Sequence, residues 1–104
     1  MTFDQYDVIL VNLDPTVGSE IKKTRPCVIL SPNEMNHNIN TLIIAPMISK
    51  TKSYPTRVKV DTNSFIVLDQ IKTIDKKRVI KYLDKLDKKS ITLVKQIIQE
   101  MLVE

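Results

Sequence analysis

The apolar residues in the first two-thirds of the chain fall in short, β-branched runs, each shut off by proline or by an Asp/Asn turn signal. Residues 6–13 carry Val8, Ile9, Leu10, Val11 and Leu13 and stop at Asp14-Pro15. Residues 26–30 follow with Val28, Ile29 and Leu30, bounded by Ser31-Pro32-Asn33. Residues 41–45 hold Leu42, Ile43, Ile44 and Ala45 and are expected to end at Pro46. Runs this short and apolar on both faces predict strands enclosed between layers or in a barrel. Residues 56–61 instead alternate, with Val58 and Val60 set against Arg57, Lys59 and Asp61, which predicts a strand with one wet face. A fifth strand, 64–68, comes after the turn signal Asp61-Thr62-Asn63. Connections so short join antiparallel neighbours.

Near the C-terminus the period changes. Leu93, Val94, Ile97, Ile98, Met101 and Leu102 recur at helical spacing and form one stripe, with Asp87 or Ser90 as candidate caps. The other face offers Gln96, Gln99, Glu100 and Glu104 rather than the bases a membrane-surface helix would carry, so the helix is expected to pack on the sheet. The predicted fold is mainly β: a small antiparallel barrel closed by a C-terminal α-helix. At 104 residues and 42% hydrophobic, the chain suits one domain, 1–104, that needs no disulfide or metal staple.

Composition removes several function classes. A single glycine, Gly18, excludes nucleotide-binding loops, which need two or three. Cys27 is the only cysteine and His37 the only histidine, so one chain cannot build a Cys/His zinc site. A lone cysteine suits a reducing compartment, nothing at the N-terminus reads as a signal peptide, and no apolar run is long enough to span a bilayer. The expectation is a cytoplasmic protein with no membrane partner and no cofactor.

The net charge of +4 is unevenly distributed. Residues 1–70 hold seven bases and seven acids, whereas nine bases meet five acids from residue 72 onward. Clustered lysine and arginine would attract a polyanion, but on charge alone a solvated, lysine-rich face is the simpler reading. Two loops stand out, 14–25, which is too long and polar for a hairpin turn, and 48–55, and both offer places for function as well as for plain connectors. Cys27, in an apolar strand, reads as a buried core thiol, and His37, among asparagines, as exposed. Tyr54 could stack on a base or brace its loop.

The run Leu13-Asp14-Pro15-Thr16-Val17-Gly18-Ser19-Glu20, followed by Arg25-Pro26-Cys27-Val28-Ile29-Leu30-Ser31-Pro32, resembles the opening of the MazF/PemK/Kid toxins of bacterial toxin–antitoxin systems. The similarity continues through Ile43-Ile44-Ala45-Pro46, Tyr54-Pro55 and Leu68-Asp69-Gln70-Ile71-Lys72-Thr73-Ile74-Asp75. It implies an SH3-like barrel, a homodimer, and a metal-independent, sequence-specific endoribonuclease that cuts single-stranded RNA and is inhibited by a cognate antitoxin. In that reading Arg25 is catalytic. Its fixed charge matches phosphate oxygens in a fork, and its place before Pro26 holds its backbone extended. Without the resemblance, a surface ion pair with Glu20 or Asp14 would be the simpler role. Ser19, Glu20, Lys22, Lys50, Asp69 and Gln70 are the expected RNA-binding residues.

The sequence departs from the family at the second functional group, a hydroxyl at the end of the third strand in a pattern like Pro-x-Thr-Ser. Here Ile48 stands at the threonine position of Pro46-Met47-Ile48-Ser49. Ser49 is the nearest hydroxyl and takes the second catalytic assignment, which requires the chain to bend there, because adjacent strand residues point to opposite faces. Ile21 stands where glutamine is common in the family, and Tyr6 where glycine is usual. Two alternatives stay open: a CcdB-like toxin that binds DNA gyrase without catalysis, and a degenerate member that binds RNA but cuts poorly. The absence of tryptophan argues against the first.

Overall fold

The computed structural model describes residues 2–13, 24–49 and 54–103. Seven strands and two helices follow in the order β1 (Asp7–Asn12), β2 (Thr24–Ile29), α1 (Asn33–Asn36), β3 (Thr41–Ile48), β4 (Arg57–Asp61), β5 (Ser64–Val67), β6 (Lys72–Asp75), β7 (Val79–Lys85) and α2 (Lys88–Leu102). Short 3-10 turns over Leu68–Gln70 and Lys76–Arg78 flank β6. No helix among the described residues is long and apolar enough to cross a membrane.

All pairings are antiparallel, and the path runs β4-β5-β3-β2-β1-β7. The off-path strand explains the curl. Along its outer edge β3 pairs β6 through Thr41–Ile44 and then β5 through Met47 and Ile48, so it belongs to two sheets in turn. Between those ladders lie Ala45 and Pro46. A residue without an N–H interrupts least where one partner strand has left and the next has not begun. The expected end of this strand at Pro46 is thereby corrected: β3 runs on to Ile48. The expected closure is corrected too. Among the described residues β4 and β7 end the path without pairing to each other, leaving a strongly curled sheet rather than a closed barrel.

The fifth predicted strand stops one residue early, at Val67, because Leu68 begins a 3-10 turn. The β4–β5 hairpin has the expected turn: Asp61 opposes Ser64, and Asp61 Oδ1 accepts from the Asn63 N–H at 2.8 Å. Neither β6 nor β7 was expected. Two register shifts between β7 and β1 interrupt the period-two signal, and β7 is exposed along nearly its whole length. The asparagine-rich stretch also holds more structure than expected, forming α1. Its Asn36 is buried, donating to the Ser31 carbonyl and accepting from the Ser31 hydroxyl, while Lys76 Nζ donates to the Asn36 carbonyl.

The curled sheet has an apolar cluster on each face. One gathers Ile9, Val11, Cys27, Ile29, Leu42, Ile44 and Ile74, with Leu13 packed at its margin. The other gathers Val28, Ala45, Val58, Ile66, Leu68 and Val94, and α2 lies over it. Asp87 caps α2, accepting from the Ser90 N–H at 3.0 Å and the Ser90 hydroxyl at 2.7 Å. The helix seats Ile91, Val94, Ile97 and Ile98 on the sheet. Leu93, Met101 and Leu102 of the predicted stripe are exposed instead. Full burial of Val94 stabilises by roughly 2 kcal/mol, so the helix docks without them.

Candidate functional site

The first apolar cluster does not end in solvent at random. On β2 the fully buried row Ile29 and Cys27 continues two residues on to exposed Arg25, which shares their face. β1 runs alongside, with Val11 opposite Arg25. On the other side Cys27 opposes Pro46, and continuing that antiparallel register by two residues brings Arg25 opposite Ile48. The row therefore carries a permanent positive charge to the rim of an apolar face.

A hollow of about 420 Å³ opens at that rim. Leu13, Pro46, Ile48 and Val67 supply its apolar wall, and Arg25, Gln70 and Lys72 its polar one. The described lining contains two cations and an amide but no acid, so these residues attract an anion. Among the described residues no hydrogen bond or ion pair engages the Arg25 guanidinium. Its carbonyl accepts a weak bond from Cys27 Sγ at 3.6 Å. Burial pushes the Cys27 thiol up to about 12, partly offset by the positive charges of Lys72 and Arg25. That thiol is a core group and no nucleophile, as expected.

A smaller hollow of about 210 Å³ lies on the other side of Ile48, lined by Thr24, Arg25, Pro26, Met47, Ser49 and the β5 end of the hairpin. Here β3 has ended and the chain bends at Ser49, so the condition for a re-aimed hydroxyl is met. Arg25 and Ile48 line both hollows; Ser49 lines only the smaller.

Of the expected RNA-binding residues, Gln70 lines the larger hollow with Arg25. Asp69 does not. Its carboxylate accepts from Thr56 Oγ1 at 2.9 Å and from Arg57 Nε at 3.4 Å, and the Arg57 side chain holds its pKa below the ordinary range. Arg57 in turn lies over the Tyr54 ring, 4.6 Å from its centroid. Ser19, Glu20, Lys22 and Lys50 lie outside the described residues, as do Asp14 and Ile21. His37 is exposed and contacts Asp4 Oδ1 at 2.9 Å. Lys72 was not among the residues expected, although it stands only two positions beyond Gln70 in the same motif. Among the described residues no three His, Cys, Asp or Glu side chains gather as a metal centre would require.

The profile of the PemK-like, MazF-like toxins of type II toxin–antitoxin systems matches residues 4–102. The endoribonuclease MazF of Staphylococcus epidermidis is 41% identical over 83 aligned residues, covering 70% of this chain and 68% of that protein. A MazE–MazF crystal structure from Deinococcus radiodurans superposes with a TM-score of 0.85 at 21% identity, covering 98% of this chain and 96% of that one. An endoribonuclease in complex with its cognate antitoxin, from a mycobacterial species, superposes at 0.82 with 16% identity, covering 95% and 93%. At such identities the two structures speak for the fold. The chain belongs to the PemK/MazF family of toxins of type II toxin–antitoxin systems.

Proposed function

We propose that this toxin is an endoribonuclease that cuts single-stranded RNA through the substrate's own 2′-hydroxyl, without a metal ion. The observation that carries the reading is Arg25 at the rim of a hollow whose described lining holds no acid and which it shares with Ile48 and Lys72. The identity to an endoribonuclease MazF supports it over the gyrase-binding alternative.

RNA brings its nucleophile with it. The 2′-oxygen attacks the adjacent phosphorus, the bond to the 5′-oxygen breaks, and the hydroxyl proton leaves while another reaches the departing oxygen. The phosphorane between these states is crowded and carries extra negative charge. A guanidinium already in place stabilises it more than the ground state, which is what accelerates the step. Arg25 takes that role. Ser49, which lines the smaller hollow together with Arg25, takes the role of the hydroxyl hydrogen-bonded to the reacting phosphate. Gln70, which lines the larger hollow with Arg25, binds the strand, and Ser19, Glu20, Lys22, Lys50 and Asp69 complete the RNA surface in this reading.

The toxin acts in the cytoplasm as a homodimer and is silenced by a cognate antitoxin whose acidic segment folds onto the same cationic rim. Exposed Ile80, Tyr82, Leu83, Met101 and Leu102 support a second copy as partner, since so many large apolar groups on so small a chain favour association.

The reaction is tested on a defined RNA in the presence of EDTA. The expected products carry a 2′,3′-cyclic phosphate or 3′-phosphate and a free 5′-hydroxyl, and DNA of the same sequence is spared. Replacing the one ribose before the cut by deoxyribose abolishes cleavage. A 5′-phosphate on the products, or efficient cutting of the deoxy-substituted strand, would show that water is the nucleophile.

A further inference from the structure

Lys72 walls two hollows at once. Besides the one it shares with Arg25, it lines a neighbouring hollow of about 270 Å³ with Thr73, Ile74 and Arg78, and Leu13 is the other wall the two have in common. The fold puts it there. β6 leaves the turn at Gln70, pairs the first half of β3, and points Ile74 into the core, which brings Lys72 to the start of the strand and Arg78 to the next turn. Arg78 is steadied over the end of β1, where its Nη1 donates to the Asn12 carbonyl at 3.4 Å. The described lining of this second hollow again includes no acid.

We propose that the second hollow is a subsite for the RNA phosphate next to the one that is cut, with Lys72 between the two phosphates and Arg78 and Thr73 holding the outer one. The inference rests on the endoribonuclease reading above. A single strand carries one negative charge per nucleotide, so a strand with its reacting phosphate against Arg25 must place the next charge about one nucleotide away. A cationic hollow sharing a wall with the first is where that charge is met. Arg78, held by its Nη1 bond to the Asn12 carbonyl, offers a fixed guanidinium charge, Lys72 a mobile point charge, and Thr73 a hydroxyl donor. Such contacts set the register of the strand and carry no base information. Sequence choice therefore lies elsewhere, and this subsite fixes which linkage is presented to Arg25.

The test is steady-state cleavage of an RNA carrying one uncharged methylphosphonate at a time, at each linkage flanking the cut. Wild type should lose roughly tenfold or more in kcat/KM at one adjacent linkage, the scale of one charge-assisted hydrogen bond. Lys72→Gln and Arg78→Gln should show a comparable loss on unmodified RNA, expressed mainly in KM, with no further loss when that same linkage is neutral. Lys72→Arg should restore the wild-type pattern. The slope of log(kcat/KM) against log salt should flatten by about 0.7 for each cation removed. A structural role for either residue would not track one linkage. Losses that simply multiply when variant and methylphosphonate are combined, or an RNA in which no adjacent linkage is sensitive, would overturn the subsite. A wild type that leaves RNA intact would instead overturn the endoribonuclease reading itself, and an Arg25→Ala variant that cuts as well as wild type would overturn the placement of the reacting phosphate on Arg25.

Discussion

Arg25 on β2 and Ile48 on β3 line the same two hollows with opposite chemical consequences. The arginine is exposed and unengaged among the described residues, so its charge is available to a phosphate rather than spent on a neighbour. Arg25→Ala is expected to lower the cleavage rate by about 10²-fold or more, the scale for one preorganised donor to a developing anion. Its unfolding midpoint in urea should stay near that of wild type, because an exposed cation contributes little stability. Ile48 occupies the family's hydroxyl position but can neither donate nor accept. Since the chain bends at Ser49 and that side chain reaches a hollow shared with Arg25, Ser49→Ala should cost on the order of 10²-fold in rate and Ile48→Thr should change it little. The reverse pattern, a faster Ile48→Thr and a silent Ser49→Ala, would identify a crippled site awaiting its threonine.

At the scale of elements, α2 depends on its cap more than on its exposed stripe. The hydrogen bonds from the Ser90 side chain and N–H hold the Asp87 carboxyl below its ordinary pKa. A group depressed in the folded state adds stability above its unfolded pKa, about 3.9, and loses it as the pH falls through the lower folded value. Asp87→Ala is therefore expected to destabilise by about 1 kcal/mol at neutral pH. The gap to wild type should narrow progressively below about pH 4. Urea titrations at a series of pH values measure this directly. Leu93→Gln on the same helix should leave stability nearly unchanged in the monomer, since that side chain does not touch the sheet cluster.

For the whole molecule, the excess of bases after residue 71 divides between two tasks. Lys76 bonds the end of α1, Lys85 reaches the buried carboxylate of Asp7 at 3.2 Å, and Lys95 lies 6.0 Å from the centre of the Tyr6 ring. Those charges are occupied in holding elements together. Lys72 lines the two hollows instead, and Arg78 does both, lining the second hollow while its Nη1 donates to the Asn12 carbonyl. A chain of 12.0 kDa that exposes Ile80, Leu83, Met101 and Leu102 is expected to sediment at twice that mass at micromolar concentration. A species that stays at one chain's mass when concentrated would remove the homodimer from the proposal.

Strand positions were legible in the sequence because periodicity is local: residues two apart in a strand share a face, and those four apart in a helix do. So Val58 and Val60 announced β4, and Val94 and Ile98 the buried face of α2. The junction before Pro26 likewise announced where Arg25 would stand. Local pattern said nothing of β7, where two bulges break the alternation, nor of the run of β3 past Pro46, which depends on a change of partner strand. It also could not tell Lys72 from Lys76. Four residues apart, one walls the candidate site and the other binds the end of α1, and only the register of β6 against β3 separates them. The pairs of β3 with β6 join residues as far apart as Thr41 and Asp75, so their outcome is written in the packed sheet and in no single stretch of chain.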